Sequence, residues 1–293
     1  MRIRRSIDWS KGFSEETVKN SIATAADAVC IDLEDGVPPA RKAEARVTTV
    51  HALNTLDFRG KERIVRVNAI GSEDFYKDIA EVIAVATPDA IRVPKCEYVK
   101  DMLMIDGLLN QIEQNKGLAP NSIEVIAMIE SPIGIRNAFD IASCCERVTA
   151  LNIGMEDLTR EMGVVRRYED NELDLVYARQ KMVLDAKAAG VQAIDSGLLV
   201  ADAEKNFKQN ADSRQMGFTG RSVHGNAEAE NANKAFAPSE ADIAFAKGAV
   251  AAYKEAEFNK DGNVVFDGKT ICFAAYEKAL DVLAYDELLK SQK

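Results

Sequence analysis

A (β/α)8 barrel with a small C-terminal extension is the fold this sequence predicts, on two observations. Seven short apolar runs each end in a polar or charged residue beside a turn. Their endpoints, at positions 35, 68, 95, 130, 157, 195 and 224, recur at about the length of one strand-plus-helix unit, roughly 30 residues. A barrel built this way gathers its polar strand ends at one mouth, where the fold keeps its chemistry.

The elements follow in order. Residues 2–7 alternate charged and apolar side chains and supply the first strand that an eight-stranded barrel needs. Ser14 before Glu15 and Glu16 reads as a helix N-cap with acidic first-turn residues. The next strand runs from Val29 to the carboxylates Asp32, Glu34 and Asp35, and others end at Arg66-Val67-Asn68 and at Pro94-Lys95. Between residues 101 and 116, Leu103, Ile105, Leu108, Leu109 and Ile112 recur at helical spacing before Gly117 and Pro120 end the run. Further strands end at Glu130, Asp157, Asp195 and His224, and Ser131-Pro132 opens a helix with proline at its first position. A capping-box-like Ser239-Glu240-Ala241-Asp242 then starts what should be the last barrel helix, with Ile243, Ala246, Val250 and Tyr253 on one face. Residues 258–263 read as a turn-rich linker. The expected division is therefore a catalytic barrel over 1–257 and a tail or lid of hairpin and helix over 258–293.

Composition narrows the function. The 293-residue chain carries a formal charge of -10, from 47 acidic and 37 basic residues, without a Lys/Arg cluster able to track a phosphate backbone. That argues against nucleic acid and anionic membrane surfaces as partners. The five cysteines, at 30, 96, 144, 145 and 272, form no Cys-x-x-Cys pair, which fits a reduced, cytoplasmic chain. Neither an export signal nor an apolar run of about 18 residues is present.

Several strand ends carry groups suited to chemistry. Glu130 and Asp157 end consecutive strands, so the barrel sets two carboxylates side by side, as a divalent metal such as Mg2+ requires, although each could instead cap the helix that follows. Arg66 lies within an apolar strand and needs an acceptor, either an internal aspartate or a substrate oxygen. Asp32, Glu34 and Asp35 crowd one strand end and need a cation or donors, from a metal's waters or from Arg41, Lys42 or Arg46. Lys95 invites a Schiff-base reading, but a carboxylate-rich mouth would keep it charged and paired. His224 is a candidate general base, whereas His51 falls on a helix surface.

The order of these motifs is similar to that of the HpcH/HpaI aldolase and citrate lyase superfamily, in its branch of citrate lyase β-subunits and malyl-CoA or citramalyl-CoA lyases. The resemblance runs through Ile31-Asp-Leu-Glu-Asp-Gly-Val37, Arg66-Val-Asn68, Val93-Pro-Lys95, Ile129-Glu-Ser-Pro-Ile-Gly134, Ile153-Gly-Met-Glu-Asp157 and Gly217-Phe-Thr-Gly-Arg-Ser-Val-His224. It implies a Mg2+-dependent carbon-carbon lyase acting on a malyl-, citramalyl- or citryl-type CoA thioester, with Mn2+ as the alternative ion. Glu130 and Asp157 would hold the metal, Arg66 would bind substrate and stabilise the enolate, and Glu34 and Asp35 would complete the catalytic set. Glu130 also counts among the substrate contacts, and Arg5 is a candidate for binding, with Arg2, Arg4, Arg41 and Lys42 the other candidates for the CoA phosphates. A 2-oxo acid is the other small-molecule partner, and a homo-oligomer, trimer or hexamer, is implied. The alternatives are a citrate lyase β-subunit taking its thioester from an acyl-carrier protein, and a non-catalytic acyl-CoA-binding barrel.

The chain departs from the family pattern in three places. Arg221 stands for a lysine and Gly225 for a proline around the last strand, and Arg5-Ser6 runs into Ile7-Asp8-Trp9 instead of an apolar strand with a Pro-Gly turn. The tail reads Asp267-Gly-Lys-Thr-Ile-Cys272, where several CoA lyases carry an acid. A thiol is no carboxylate at neutral pH, so thioester hydrolysis of the kind some relatives perform is not expected.

Overall fold

The computed structural model describes residues 2–167, 172–197, 202–258 and 262–291. Eight strands form the barrel: β1 Ser6–Lys11, β2 Ala28–Asp32, β3 Glu62–Arg66, β4 Ala90–Val93, β5 Glu124–Ile129, β6 Val148–Ile153, β7 Gln192–Asp195 and β8 Gly220–Val223. All pair in parallel and in chain order, and β8 closes onto β1. Strand side chains alternate with period two. Val29, Ile31, Val65 and Ile91 therefore pack outward against helices, while a second set fills the interior. In that interior, Ile7, Ile64, Ile126 and Ile194 come from β1, β3, β5 and β7, and Ala28, Ala90 and Ala150 from β2, β4 and β6. Large residues from alternate strands and small ones between them are how a barrel of this size packs solid.

The end opposite the mouth is closed by charge. Arg4 is buried, with Nε 2.8 Å and Nη2 2.6 Å from the two Glu62 carboxylate oxygens, and it also donates to Glu124, Thr149 and Gln192. A buried guanidinium needs such a full set of acceptors.

The local signals hold where they rest on caps. Ser14 accepts from the Thr17 amide at the start of helix Glu15–Ala23, and Ser131 accepts from Gly134 at the start of Pro132–Arg136. Gly117, at φ 65°, ends helix Val99–Lys116. That helix buries Met102, Ile105, Leu109 and Ile112, and the expected Leu103 is half exposed at 50%.

Three expectations need correction. The first strand is Ser6–Lys11, not residues 2–7: the alternation over Arg2–Ile7 is real, but Arg4 uses it to plug the bottom of the barrel. The last barrel helix is Asn226–Phe236, which buries Ala229, Ala232 and Phe236. The division therefore falls at Ala237 rather than 258, with Arg2–Phe236 as one compact unit and Ala237–Lys293 in the other.

That second unit contains helix Glu240–Phe258, a hairpin of β9 Val264–Phe266 and β10 Lys269–Ile271, and helix Phe273–Ser291. Of the expected linker at 258–263, residues 259–261 lie outside the described residues. Ala246, Ala249, Ile271 and Ala279 form the buried core, with Phe245, Tyr253, Phe266 and Tyr276 against it. Asp267 and Gly268 turn the hairpin at φ 47° and 70°, the two left-handed residues that a tight hairpin turn favours. Among the described residues no helix is long and apolar enough to cross a membrane.

Candidate active site

Register sets the heart of the site. Asp32 ends β2, Arg66 ends β3 and lies opposite it, and Arg92 on β4 lies opposite Arg66. The internal aspartate that Arg66 requires is Asp32: Nε and Nη2 reach its oxygens at 2.6 and 2.8 Å. The third guanidinium nitrogen, Nη1, is 2.8 Å from Glu34 Oε2. The Arg66 guanidinium carbon also sits 4.6 Å from the centre of the Trp9 ring. Burial would raise the Asp32 carboxyl, but the Arg66 charge and amide bonds from Glu34 and Gly36 bring it below the usual range. Burial likewise works against the Arg66 charge, and Asp32 and Glu34 overcome it, so the guanidinium stays charged. Such a fork, fixed on two carboxylates and an aromatic face, is preorganised to meet negative charge.

Glu130 and Asp157 line the same mouth cavity, about 420 Å³ in volume, with Asp32, Arg66 and Asp35. One Glu130 oxygen accepts the Lys95 amide at 2.9 Å. Behind Glu130 lies Gly154, where a Cβ would fall 2.3 Å from Oε1, so the carboxylate occupies space that only glycine leaves. Burial, followed by the nearby Glu34 and Asp157 charges, raises the Glu130 carboxyl to about 7. Lys95 takes a left-handed backbone, φ 55°. Its Nζ is 2.6 Å from Glu34, 3.8 Å from Asp35 and 4.0 Å from Asp157. Burial tends to lower the Lys95 pKa, but Glu34 and the other carboxylates raise it on balance. A lysine held as ammonium is a clamp for carboxylates and not a Schiff-base nucleophile.

The remaining candidates fall in different places. Asp35 is exposed at the rim, and His224 is exposed on the cavity wall. Arg5 is not at the mouth: it precedes β1 and binds Asp27 through its amide, Nε and Nη2 at 2.8, 2.9 and 2.7 Å. It sits at the opposite end of the barrel because the true first strand starts after it, and Arg2 and Arg4 share that end. Arg41 pairs with Glu44, and Arg46 with Asp74, Asp78 and Glu81. Lys42 Nζ instead takes the Leu33 and Glu34 carbonyls and Asn68 Oδ1 at 2.6, 2.8 and 2.6 Å. Asn68 is thus more than a strand end, since its Nδ2 also donates to Leu33 O and Asp78 and ties down the Glu34 loop. Asp195 is buried behind the mouth on Arg179, Arg221 and Ser213, which gives the substituted Arg221 a structural partner. Trp9, Arg92 and Asn152 line the cavity without having been singled out. Arg92 had a readable signal, since it breaks an apolar strand as Arg66 does.

Residues 5–225 match the model of the HpcH/HpaI aldolase/citrate lyase family. The chain belongs to that family. It is accordingly an enzyme of the carbon-carbon lyase class. It is 34% identical over 284 residues to the citrate lyase subunit beta of Haemophilus influenzae, covering 97% of each chain. It is also 33% identical over 268 residues to the (3S)-malyl-CoA thioesterase of Cereibacter sphaeroides, covering 91% of this chain and 89% of that one. Among solved structures it resembles CitE from Mycobacterium tuberculosis in complex with magnesium, acetoacetate and coenzyme A, with a TM-score of 0.79 and 25% identity over 97% and 99% of the two chains.

The donor set suits a hard cation. Among the described residues no group of three or more His, Cys, Asp or Glu forms a complete metal cage, while Glu130 and Asp157 offer two carboxylates to one cavity. Mg2+ characteristically takes one or two carboxylates and leaves its other positions to water and substrate. Burial first, and then the Glu34 and Asp157 charges, raise the Glu130 carboxyl, and a cation bound beside it would favour the charged form.

Proposed function

We propose that this enzyme is a Mg2+-dependent lyase that splits a 3-hydroxy-carboxyacyl-CoA thioester of malyl, citramalyl or citryl type into a 2-oxo acid and an acyl thioester. The observation that carries the reading is the Arg66 fork, fixed by Asp32 and Glu34, on the same cavity as Glu130 and Asp157. Glu130 and Asp157 would hold the metal. Bound there, Mg2+ supplies Lewis acidity toward the hydroxyl and carboxylate oxygens of the substrate.

The chain's own residues do the rest. The substrate hydroxyl gives up its proton and becomes the carbonyl of the 2-oxo acid as the carbon-carbon bond breaks. The bond's electron pair moves onto the thioester as an enolate, which takes a proton at carbon to give the acyl thioester, and Arg66 meets the charge growing on the enolate oxygen. Asp32 and Glu34 keep the fork in plane, so no reorganisation is needed at that moment. Lys95 holds Glu34 and, through its amide, Glu130, linking the two halves of the site. Cys272 lies in the second unit where a tail acid would be needed, which favours cleavage without hydrolysis.

The test is turnover of malyl-, citramalyl- and citryl-CoA by the purified chain with Mg2+ and with EDTA. Cleavage that needs the metal and drops by about 100-fold or more in Glu130→Ala and Asp157→Ala supports the reading. Activity surviving both substitutions removes the metal from it. A second reading, a β-subunit serving a carrier-protein thioester within a complex, is favoured by relatives named citrate lyase subunit beta. It predicts no cleavage of free CoA thioesters and cleavage once a loaded carrier is supplied. A cytoplasmic location and a homo-oligomer complete the reading, and light scattering would measure the size of the oligomer.

A further inference from the structure

Beneath Arg66 lies a second guanidinium, Arg92, that the reaction above does not use. It is fully buried on β4, lines the cavity, and has its guanidinium carbon 4.4 Å from the centre of the same Trp9 ring. Its acceptors are neutral: Asn152 Oδ1 at 3.1 Å from Nε and also bound by Nη2, and Ser222 Oγ at 2.6 Å from Nη2. Nη1 has no hydrogen-bond partner. Among the described residues no carboxylate lies within ion-pair distance of Arg92, in contrast to Arg4, Arg66, Arg147 and Arg179.

A buried cation without a counter-ion is costly, and so is a buried donor left unmade. The neighbours offset it only in part, with Cys30 favouring the charge and burial still prevailing. Cys30 is driven by burial up to about 11 and remains a neutral thiol. Arg66 repels the Arg92 charge, and Glu130, the carboxylate that attracts it, is already assigned to the metal. Burial accordingly lowers the Arg92 pKa. A structure keeps such an arrangement when something that arrives with the ligand completes it.

Resting on the function proposed above, we infer that Arg92 is a specificity residue: its Nη1 binds a second carboxylate on the oxo-acid part of the substrate. The site would then prefer a substrate whose 2-oxo acid product is a dicarboxylate over one releasing a product with a methyl or hydrogen in that place. Asn152 and Ser222 act as positioning residues that aim the fork.

Trp9 is the only tryptophan in the chain and lies under both guanidinia, so its fluorescence can report occupancy. The full-length chain is titrated with oxaloacetate and with pyruvate, which differ by one carboxylate, in Mg2+. The wild type should favour oxaloacetate by about tenfold or more, the worth of one charge-assisted bond. Arg92→Met should bring oxaloacetate down to the pyruvate level and leave pyruvate unchanged, and Arg92→Lys should keep part of the preference. Both variants are checked by thermal melting, and Arg92→Met, which removes an uncompensated charge, should melt no lower than the wild type. A ratio unmoved in Arg92→Met and Arg92→Lys overturns the inference alone. If the wild type binds neither acid with Mg2+, the functional reading fails and this inference fails with it. A loss of both acids together in Arg92→Met marks a structural role and overturns it too.

Discussion

At the scale of single residues the site depends on what each side chain is denied as much as on what it binds. Glu130 can approach the mouth because Gly154 presents no Cβ. Gly154→Ala should therefore displace the carboxylate and weaken Mg2+ activation by about 10- to 100-fold, the usual cost of disturbing the support of a ligand. Fold stability should hardly change, because only one side chain has to move. Activity measured against Mg2+ concentration checks this, and an unchanged half-activation point would show that Glu130 is not a ligand. Arg66→Lys is the second test at this scale. Lysine keeps the charge but cannot span Asp32 and Glu34 at once, so kcat should fall by about 100-fold or more. Activity within a few fold of the wild type would mean that only a positive charge, and not the planar fork, matters.

Elements position these residues, and the network behind β7 and β8 offers a test of that. Asp195 joins β7 to Arg179 of helix Val176–Ala188, Ser213 of helix Ala203–Met216 and Arg221 of β8. Burial raises its carboxyl, but Arg179 and Arg221 outweigh that and hold it far below the usual aspartate range. A carboxyl whose folded pKa lies below its unfolded value, about 3.9, stabilises the fold above that value and loses the contribution as pH falls toward the folded one. Asp195→Asn should thus cost about 3–5 kcal/mol at pH 7, because buried Arg221 loses its counter-ion and buried Arg179 keeps only Glu172, at 3.7 Å. The gap from wild type should narrow toward pH 3. Urea unfolding at pH 7, 5 and 3 measures it, and a pH-independent gap would show that packing and not charge is lost.

The same scale explains what could be read in advance. The strand ends at Arg66 and Glu130 were legible because a charged residue closing an apolar run is a local signal, whereas Asp157 falls past the end of β6, in the first turn of helix Met155–Met162. The phase of β1 was not. Its core positions are Ile7 and Trp9, and the serines on either side of them serve hydrogen bonds: Ser6 Oγ to Asn233 at 2.7 Å and Ser10 Oγ to Cys30 O at 3.4 Å. A strand with so little apolar content looks like a loop, and with it Trp9 and its link to Arg92 were hidden. Arg5 was misplaced for the same reason. Helix Glu240–Phe258 showed its apolar face clearly, but periodicity identifies a face and not what covers it. Its cover is the hairpin and the last helix.

For the molecule as a whole, each unit has a core of its own: two clusters belong to the barrel and a separate one to the second unit. The chemistry above is drawn entirely from the barrel, so damage confined to the second unit should leave that site folded. Gly248 is where such damage can be done. A Cβ there would fall 2.1 Å from a carbon of the Phe266 ring, so the helix and the hairpin meet at a point with no room for a side chain. Gly248→Val should force the ring away at a cost of about 1–3 kcal/mol. With Ala246, Ala249, Ile271 and Ala279 as the buried core cluster among its described residues, the unit has little to set against that loss. Hydrogen-deuterium exchange followed by mass spectrometry should show faster exchange over 264–291 and unchanged protection in β1 to β8. Loss of protection in the barrel strands at the same time would show that the two units unfold as one, and that the division at Ala237 is one of packing alone.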